Sequence, residues 1–133
     1  MGLDMYAYVA ARAGAQSEYY EAEYGDDESK KGAVPQPREI AYWRKHPNLH
    51  GWMHRLWQSK GNRGDFNGDE LELTAEDLDQ LESDVERSRL PSTTGFFFGS
   101  DADQHYKADD LKFIQDARAE LLAGSKVFYN SSW

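Results

Sequence analysis

Residues 2–11, GLDMYAYVAA, alternate between two sets of side chains. In an extended chain one side carries Leu3, Met5, Ala7 and Val9, and the other carries Asp4, Tyr6, Tyr8 and Ala10. A period of two with aromatic enrichment is typical of a β-strand. The first element is therefore predicted to be a strand, and the rest of the chain can be organised outward from it.

The segment after this strand has a different composition. Residues 14–37 combine glycines, prolines, tyrosines and a run of acids, which predicts an exposed loop or an excursion from the fold. Residues 38–45 are predicted to form a short helix. Pro47 interrupts it, and we expect a second helix from Pro47 to about Lys60, because proline fits the first helical turn.

The second half of the chain is predicted to alternate between strands and helices. Thr74 is a good N-cap for a helix over residues 74–89, TAEDLDQLESDVERSR. The other elements are strands at 70–73, 95–99 and 126–133 and a helix at 108–123. The helix residues expected to face inward are Leu78, Leu81, Val85, Leu111, Ile114, Leu121 and Leu122. This order predicts an α+β fold: a single compact domain over 1–133, with a small, mainly antiparallel sheet covered by three to four helices.

The chain is acidic, with a formal net charge of −9 over 133 residues and no cysteine. This charge argues against direct binding to a nucleic-acid backbone, which needs an electropositive face. It is compatible with docking onto a basic host protein. No apolar run approaches the roughly 20 residues of a membrane span, so we expect no membrane association and a cytoplasmic location.

Residues 42–61, YWRKHPNLHGWMHRLWQSKG, concentrate aromatic and cationic side chains. Aromatic faces stack on planar ligands, and Arg and Lys pair with phosphates, so this region suits a nucleotide-like ligand. With one phenylalanine of the GFFFG segment, the predicted ligand-binding residues are Tyr42, Trp43, Arg44, Lys45, His50, Trp52 and Phe97. The alternative is plain core and surface, in which GFFFG is a buried strand and the helix buries Leu49, Trp52, Met53 and Leu56.

Three histidines, His46, His50 and His54, lie four residues apart in this region. On one unbroken helix they would share a face, and such a spacing can bind a metal. Pro47 interrupts that face, so we expect neither a metal site nor a cofactor. One histidine is expected to pack in a groove and two to be solvated, with His50 as the candidate if the protein is an enzyme.

Several motifs occur in an order that resembles a family of small proteins encoded by tailed phages, prophages and bacteria. They are MGLDMY at the N-terminus, AYWRK followed by His50 and Trp52, LTAEDLDQLESDV, and LPSTTGFFFGS. The resemblance covers most of the chain outside residues 11–37. It implies an association with phage biology, but no biochemical activity and no role for any residue.

Three functions are compatible with these patterns. The first is a non-enzymatic, phage-type accessory protein that binds a small nucleotide-like ligand or a host protein, in counter-defence or host takeover. The second is a small hydrolase or nucleotide-modifying enzyme in which His50 works with a carboxylate, with or without a metal. The third is an acidic inhibitor that mimics nucleic acid, built on residues 19–28, YYEAEYGDDE, and on the helix at 74–89. The sequence leaves homo-oligomerisation open.

Overall fold

A computed structural model describes residues 3–32, 36–91 and 103–133, with side chains in the last range from Tyr106 onward. The elements are β1 Asp4–Ala10, α1 Ala15–Tyr24, a 3₁₀ turn Glu28–Lys30, β2 Arg38–Arg44, α2 Pro47–Ser59, β3 Leu71–Leu73, α3 Ala75–Glu86, α4 Asp103–Leu122 and β4 Lys126–Ser132. The four strands form one antiparallel sheet in the order β2-β1-β4-β3. The predicted α+β class and its small antiparallel sheet are confirmed. Among the helices described, none is long and apolar enough to cross a membrane.

Strand β1 lies inside the sheet and pairs with both β2 and β4. Its predicted alternation is confirmed, because the apolar set from Leu3 to Val9 is buried in the core. The register places Met5 opposite Trp43 on one side and Ala7 opposite Tyr129 on the other. A sheet with this much apolar surface on one face needs a layer of helices over it.

Helices α2, α3 and α4 supply that layer. On α2 the predicted stripe is buried at Leu49, Trp52 and Met53, while Leu56 is partly buried. On α3 the predicted stripe is buried throughout. Thr74 caps α3 as predicted, since its hydroxyl accepts from the Asp77 N–H and the Asp77 carboxylate accepts from the Thr74 N–H.

The prediction of a helix over residues 38–45 is wrong, because most of that segment is strand β2. Its backbone pairs with the interior strand β1, and this tertiary pairing outweighs local helix propensity. Lys45 ends the strand with a positive φ of 58°, and its N–H donates to the Leu3 carbonyl. The chain then turns into α2, which begins at Pro47 as predicted.

Part of the segment predicted to be an exposed loop or an excursion, residues 14–37, is helical. Residues 15–24 form helix α1, which begins after Gly14 at a φ of 81° and ends at Gly25. Alanine and glutamate favour a helix here, and Ala22 is the residue that the helix buries. The tyrosines and acids that suggested a loop lie on the sides of this helix that are partly or fully exposed.

Helix α4 begins earlier than predicted, at Asp103 rather than near residue 108. Of its residues predicted to face inward, Ile114 is buried and Leu111 and Leu121 are partly buried, but Leu122 is 90% exposed. Phe113 and Ala117 are buried as well. A helix that covers the sheet from Asp110 to Ala117 has passed the edge of the core by its last turn. The predicted GFFFG strand, residues 95–99, lies outside the residues that the structure describes.

Candidate functional site

The second face of the sheet is only partly covered. Tyr8 and Phe128 are buried on this face, and their rings stack at 5.6 Å. Tyr6 and Tyr42 lie further along it, with ring centroids 5.2 Å apart, and Tyr42 is 49% exposed. Helix α1 therefore shelters one part of this face and leaves an aromatic surface open beside it.

A cavity of about 440 Å³ lies between this face and α1. We call it the tyrosine cleft, and its lining residues are Tyr6, Tyr8, Gln16, Tyr20, Gln36, Pro37 and Glu39. Tyr20 projects from α1 and is 53% exposed. The cleft thus offers ring surface, two carboxamides and one carboxylate in one concave place, a composition common in binding sites.

Glu70 fixes α1 over the sheet. One of its carboxylate oxygens accepts from the Tyr8 hydroxyl at 2.5 Å, and the other accepts from the Gly14 N–H at 3.0 Å. Burial, together with the bond to Glu70, raises the pKa of Tyr8, so this phenol stays protonated and keeps donating. The start of α1 is therefore tied to the sheet through a residue 56 positions away in sequence.

The electrostatic environment of the tyrosine cleft is negative. Burial raises the pKa of Tyr6 first, and the nearby charges of Asp4 and Glu39 raise it further. Residues 13–29, which include all of α1, contain six acids and no lysine or arginine. Arg12, the residue just before this segment, forms an ion pair with Glu18. An anionic ligand would meet repulsion here, whereas a cation would be attracted.

The exposed end of the predicted ligand site continues this surface. The Tyr42 hydroxyl donates to Asp4 at 2.7 Å, and the Arg44 guanidinium lies 4.0 Å from the same carboxylate. Lys45 is exposed at the turn that follows. Tyr42 and Arg44 therefore lie together near Tyr6, close to one end of the tyrosine cleft.

Trp43 points to the opposite face of the sheet and is buried. Its indole N–H donates to Asp110 at 2.9 Å, and Nε2 of His46 lies 2.8 Å from the other oxygen of that carboxylate. Burial raises the pKa of Asp110, while the hydrogen bonds from His46 and Trp43 act in the opposite direction. Tyr106 stacks on His46 at 4.6 Å and donates to the Arg44 carbonyl. This network joins β2 and the start of α2 to α4.

His50 is also in the core, with 2% of its surface exposed. Its Nδ1 lies 2.7 Å from the Tyr129 hydroxyl. Burial first, and the charge of His54 second, lower the pKa of His50 from 6.5 to about 4. Burial raises the pKa of Tyr129 well above its usual value. Both rings are therefore neutral at pH 7.

Phe66 is the centre of the aromatic cluster around His50. It stacks at ring-centroid distances between 5.0 and 5.7 Å on His50, His54, Trp57 and Tyr129. The expectation of one packed and two solvated histidines is wrong, because His46 and His50 are both buried and His54 is partly buried. Packing of α2 against β4 and the 60–70 segment encloses His50 and His54, and α4 covers His46. In the part of the chain that the structure describes, no group of three potential metal ligands occurs.

The predicted ligand-binding residues therefore separate into two sets. Trp43, His50 and Trp52 are core residues, and the Trp52 indole donates to Asp84 at 2.9 Å. Tyr42, Arg44 and Lys45 are exposed. Phe97 lies outside the described residues. Strand alternation separates Trp43 from Tyr42 and Arg44, because neighbours in β2 point to opposite faces. His50 and Trp52 are buried because they lie on the core side of α2.

Two further cavities lie between the outer strand β2 and helix α4. They measure about 290 and 380 Å³ and share Ile40 and Asp116 in their linings. Charged pairs occupy their rims, including Lys112 with Asp116 at 2.7 Å and Arg38 with Glu120. These ion pairs place lysine and arginine side chains in the groove, whereas the lining of the tyrosine cleft contains neither.

The sequence did not predict the tyrosine cleft, although it shows some of the tyrosines that line it. The tyrosines of α1 follow one another in YYEAEY, and Tyr6 and Tyr8 were placed on the non-core side of β1. What was missing was the position of α1 over that side. In comparisons with protein-family models, curated proteins and solved structures, the chain has no significant match.

Proposed function

We propose that this chain is a non-enzymatic accessory protein that binds a partner protein through the tyrosine cleft and the acidic helix α1 beside it. The observation that carries the proposal is the cleft itself, about 440 Å³ of tyrosine-lined space on an open sheet face. Tyrosine combines a large apolar ring with a polar hydroxyl, and it is enriched in protein interfaces for that reason.

The distribution of charge supports the same surface. On α3, the other acidic helix, cations from neighbouring elements offset part of the charge, as Arg118 binds Asp79 and Glu82 and Lys60 binds Asp77. On α1, Glu21 and Glu23 have no ion pair with any lysine or arginine of the described residues. The acidic surface proposed to dock a host protein is therefore centred on α1 rather than on α3.

The resemblance to small phage proteins supplies the proposed setting. A compact acidic protein made during infection would occupy a basic surface of a host protein, in counter-defence or host takeover. Docking of this kind depends on charge complementarity, so it weakens as ionic strength rises. A second copy of this chain is the alternative partner for the tyrosine cleft. The cross-linking experiment below distinguishes it from a host protein.

The hydrolase alternative receives less support from the geometry. A general acid or base must come within hydrogen-bond reach of its substrate. His50 is almost fully buried against Tyr129 and Phe66, and it does not line any of the three cavities described above. His46 is buried against Asp110. Both imidazoles are therefore enclosed by other side chains, as is typical of histidines with a structural role.

Site-specific cross-linking tests the proposed function. A photoreactive phenylalanine analogue replaces Tyr20 in the tyrosine cleft or, as the control, Lys112 on α4. After expression in a bacterial host, we expect a discrete adduct from position 20 that is absent from position 112. The partner is then purified, and its binding to the unmodified protein should weaken with Tyr20→Leu. Three outcomes would contradict the proposal. They are equal labelling from both positions, an adduct that contains only this chain, and partner binding that Tyr20→Leu does not weaken.

A further inference from the structure

We propose that the tyrosine cleft holds the positively charged side chain of an arginine or lysine from a basic segment of the partner. This inference rests on the proposed function, since it names the group that the same surface would bind. In the proposed complex the cationic group lies against tyrosine rings and beside a carboxylate.

The rings are placed suitably for this role. Tyr6 and Tyr8 come from neighbouring positions on one face of β1, and Tyr20 comes from α1 on the other side of the cavity. The face of an aromatic ring carries partial negative charge, and it attracts a cation within about 6 Å of its centroid. Rings contributed from two sides of a cleft can contact one extended side chain at once.

The charges around the cavity favour a cation over an anion. Glu39 is the one charged residue in the lining, which contains no lysine or arginine. Within residues 3–32, 36–91 and 103–133, Glu39 forms no ion pair, so its charge is not already compensated by the protein. Asp4 lies near enough to act on the Tyr6 hydroxyl as well. A phosphate placed in the cleft would face these carboxylates without a cation to balance it.

The polar groups of the lining fit the hydrogen-bonding capacity of such a side chain. Gln36 and Glu39 each carry an acceptor oxygen, and the Gln16 carboxamide oxygen, which accepts from Asn130 at 3.5 Å, has a second lone pair. A guanidinium carries five N–H donors and no acceptor, so it needs several acceptors in one place. Arg44, a cation of β2 outside the lining, lies 4.0 Å from Asp4.

Peptide titrations test the inference. Calorimetry at low salt compares four short glycine-spaced peptides, which carry arginine, lysine, uncharged citrulline or glutamate at the same positions. ATP serves as the anionic small-molecule probe. We expect the arginine and lysine peptides to bind, with affinity that falls as salt is added. We expect the citrulline and glutamate peptides and ATP to bind at least tenfold more weakly.

Substitutions locate the binding in the cleft. We expect Tyr20→Leu to raise the Kd of the arginine peptide about three- to tenfold through loss of a cation–π contact. We expect Glu39→Gln to raise it about two- to fivefold through loss of an exposed charge pair. The matched controls are Tyr20→Phe, which keeps the ring in the cleft, and Glu86→Gln, which removes the same charge from α3. Both controls should leave the Kd nearly unchanged.

Each other outcome overturns the inference in a recognisable way. Equal binding of the arginine and citrulline peptides would show that charge is not recognised. Binding of ATP that depends on Tyr20 would reassign the cleft to an anionic ligand. If Glu39→Gln and Glu86→Gln raise the Kd equally, the peptide is attracted by the net charge of the protein and not by the cleft. If cross-linking from position 20 succeeds while the peptides show no charge preference, only this inference fails and the proposed function stands.

Discussion

Acidification from pH 7 to pH 5 should destabilise this protein through His50. Burial lowers the pKa of this imidazole from 6.5 to about 4, so the folded state keeps it neutral across that range. The unfolded chain takes up a proton at the same residue as the pH falls below about 6.5. The stability that the neutral imidazole contributes is therefore complete above pH 6.5 and is lost progressively as the pH falls towards 4.

The magnitude follows from the size of the pKa shift. One pKa unit corresponds to about 1.4 kcal/mol, so the whole shift from 6.5 to about 4 corresponds to about 3 kcal/mol. Between pH 7 and pH 5 the unfolded chain gains most of a proton at this site, while the folded chain gains about a tenth of one. This part of the titration should lower the free energy of unfolding by about 2 kcal/mol.

Urea unfolding at pH 7 and pH 5, followed by tryptophan fluorescence, measures the effect. The comparison protein is His50→Gln, which cannot titrate but keeps a carboxamide that can bond the Tyr129 hydroxyl. All other titrating groups are shared, so the difference between the two pH dependences isolates His50. We expect the wild type to lose about 2 kcal/mol more than His50→Gln over this range. Parallel losses in the wild type and His50→Gln would refute the reasoning.

Three further predictions concern stability and use the same unfolding assay at pH 7. Asp110→Ala should lower the free energy of unfolding by about 3–5 kcal/mol, because it removes the carboxylate that the buried Trp43 N–H and His46 share. The control is Asp109→Ala at an exposed position, which should change the free energy of unfolding by less than about 0.5 kcal/mol. Similar losses from both variants would contradict the buried network. Thr74→Ala should lower the free energy of unfolding by about 1 kcal/mol, because it removes the N-cap of α3. Thr74→Ser keeps a hydroxyl and should therefore retain most of that stability. An equal loss from Thr74→Ser would argue against the capping role of the hydroxyl. Phe66→Ala should cost about 3–5 kcal/mol because four rings stack on Phe66, and a loss below about 1 kcal/mol would show that this cluster is not packed as described.

Much of the local structure could be predicted from the sequence alone. The alternation of β1, the Pro47 start of α2 and the Thr74 cap of α3 are all set by residues within a few positions of one another. Such signals act through backbone angles and nearby hydrogen bonds, which do not depend on the rest of the fold. The order of these elements was then enough to predict the α+β class.

The candidate site depended on information that the sequence does not display locally. The ring of Phe66 lies in a turn-rich segment, yet it is the centre of a buried cluster formed with β4 and α2. Tyr6 and Tyr20 are fourteen residues apart and line the same cleft because Glu70 ties the start of α1 to the sheet. Nothing in the residues between them specifies that arrangement.

Which residues of β1 point to opposite faces follows from the sequence, because a strand alternates whatever surrounds it. The sequence did not determine that residues 38–44 form a strand, since their pairing with β1 joins residues 29 to 40 positions apart. Nor did it determine that His50 is buried while Tyr42 and Tyr20 stay exposed. Burial is set by which elements cover each face of the sheet, and three helices cover one face while α1 covers only part of the other.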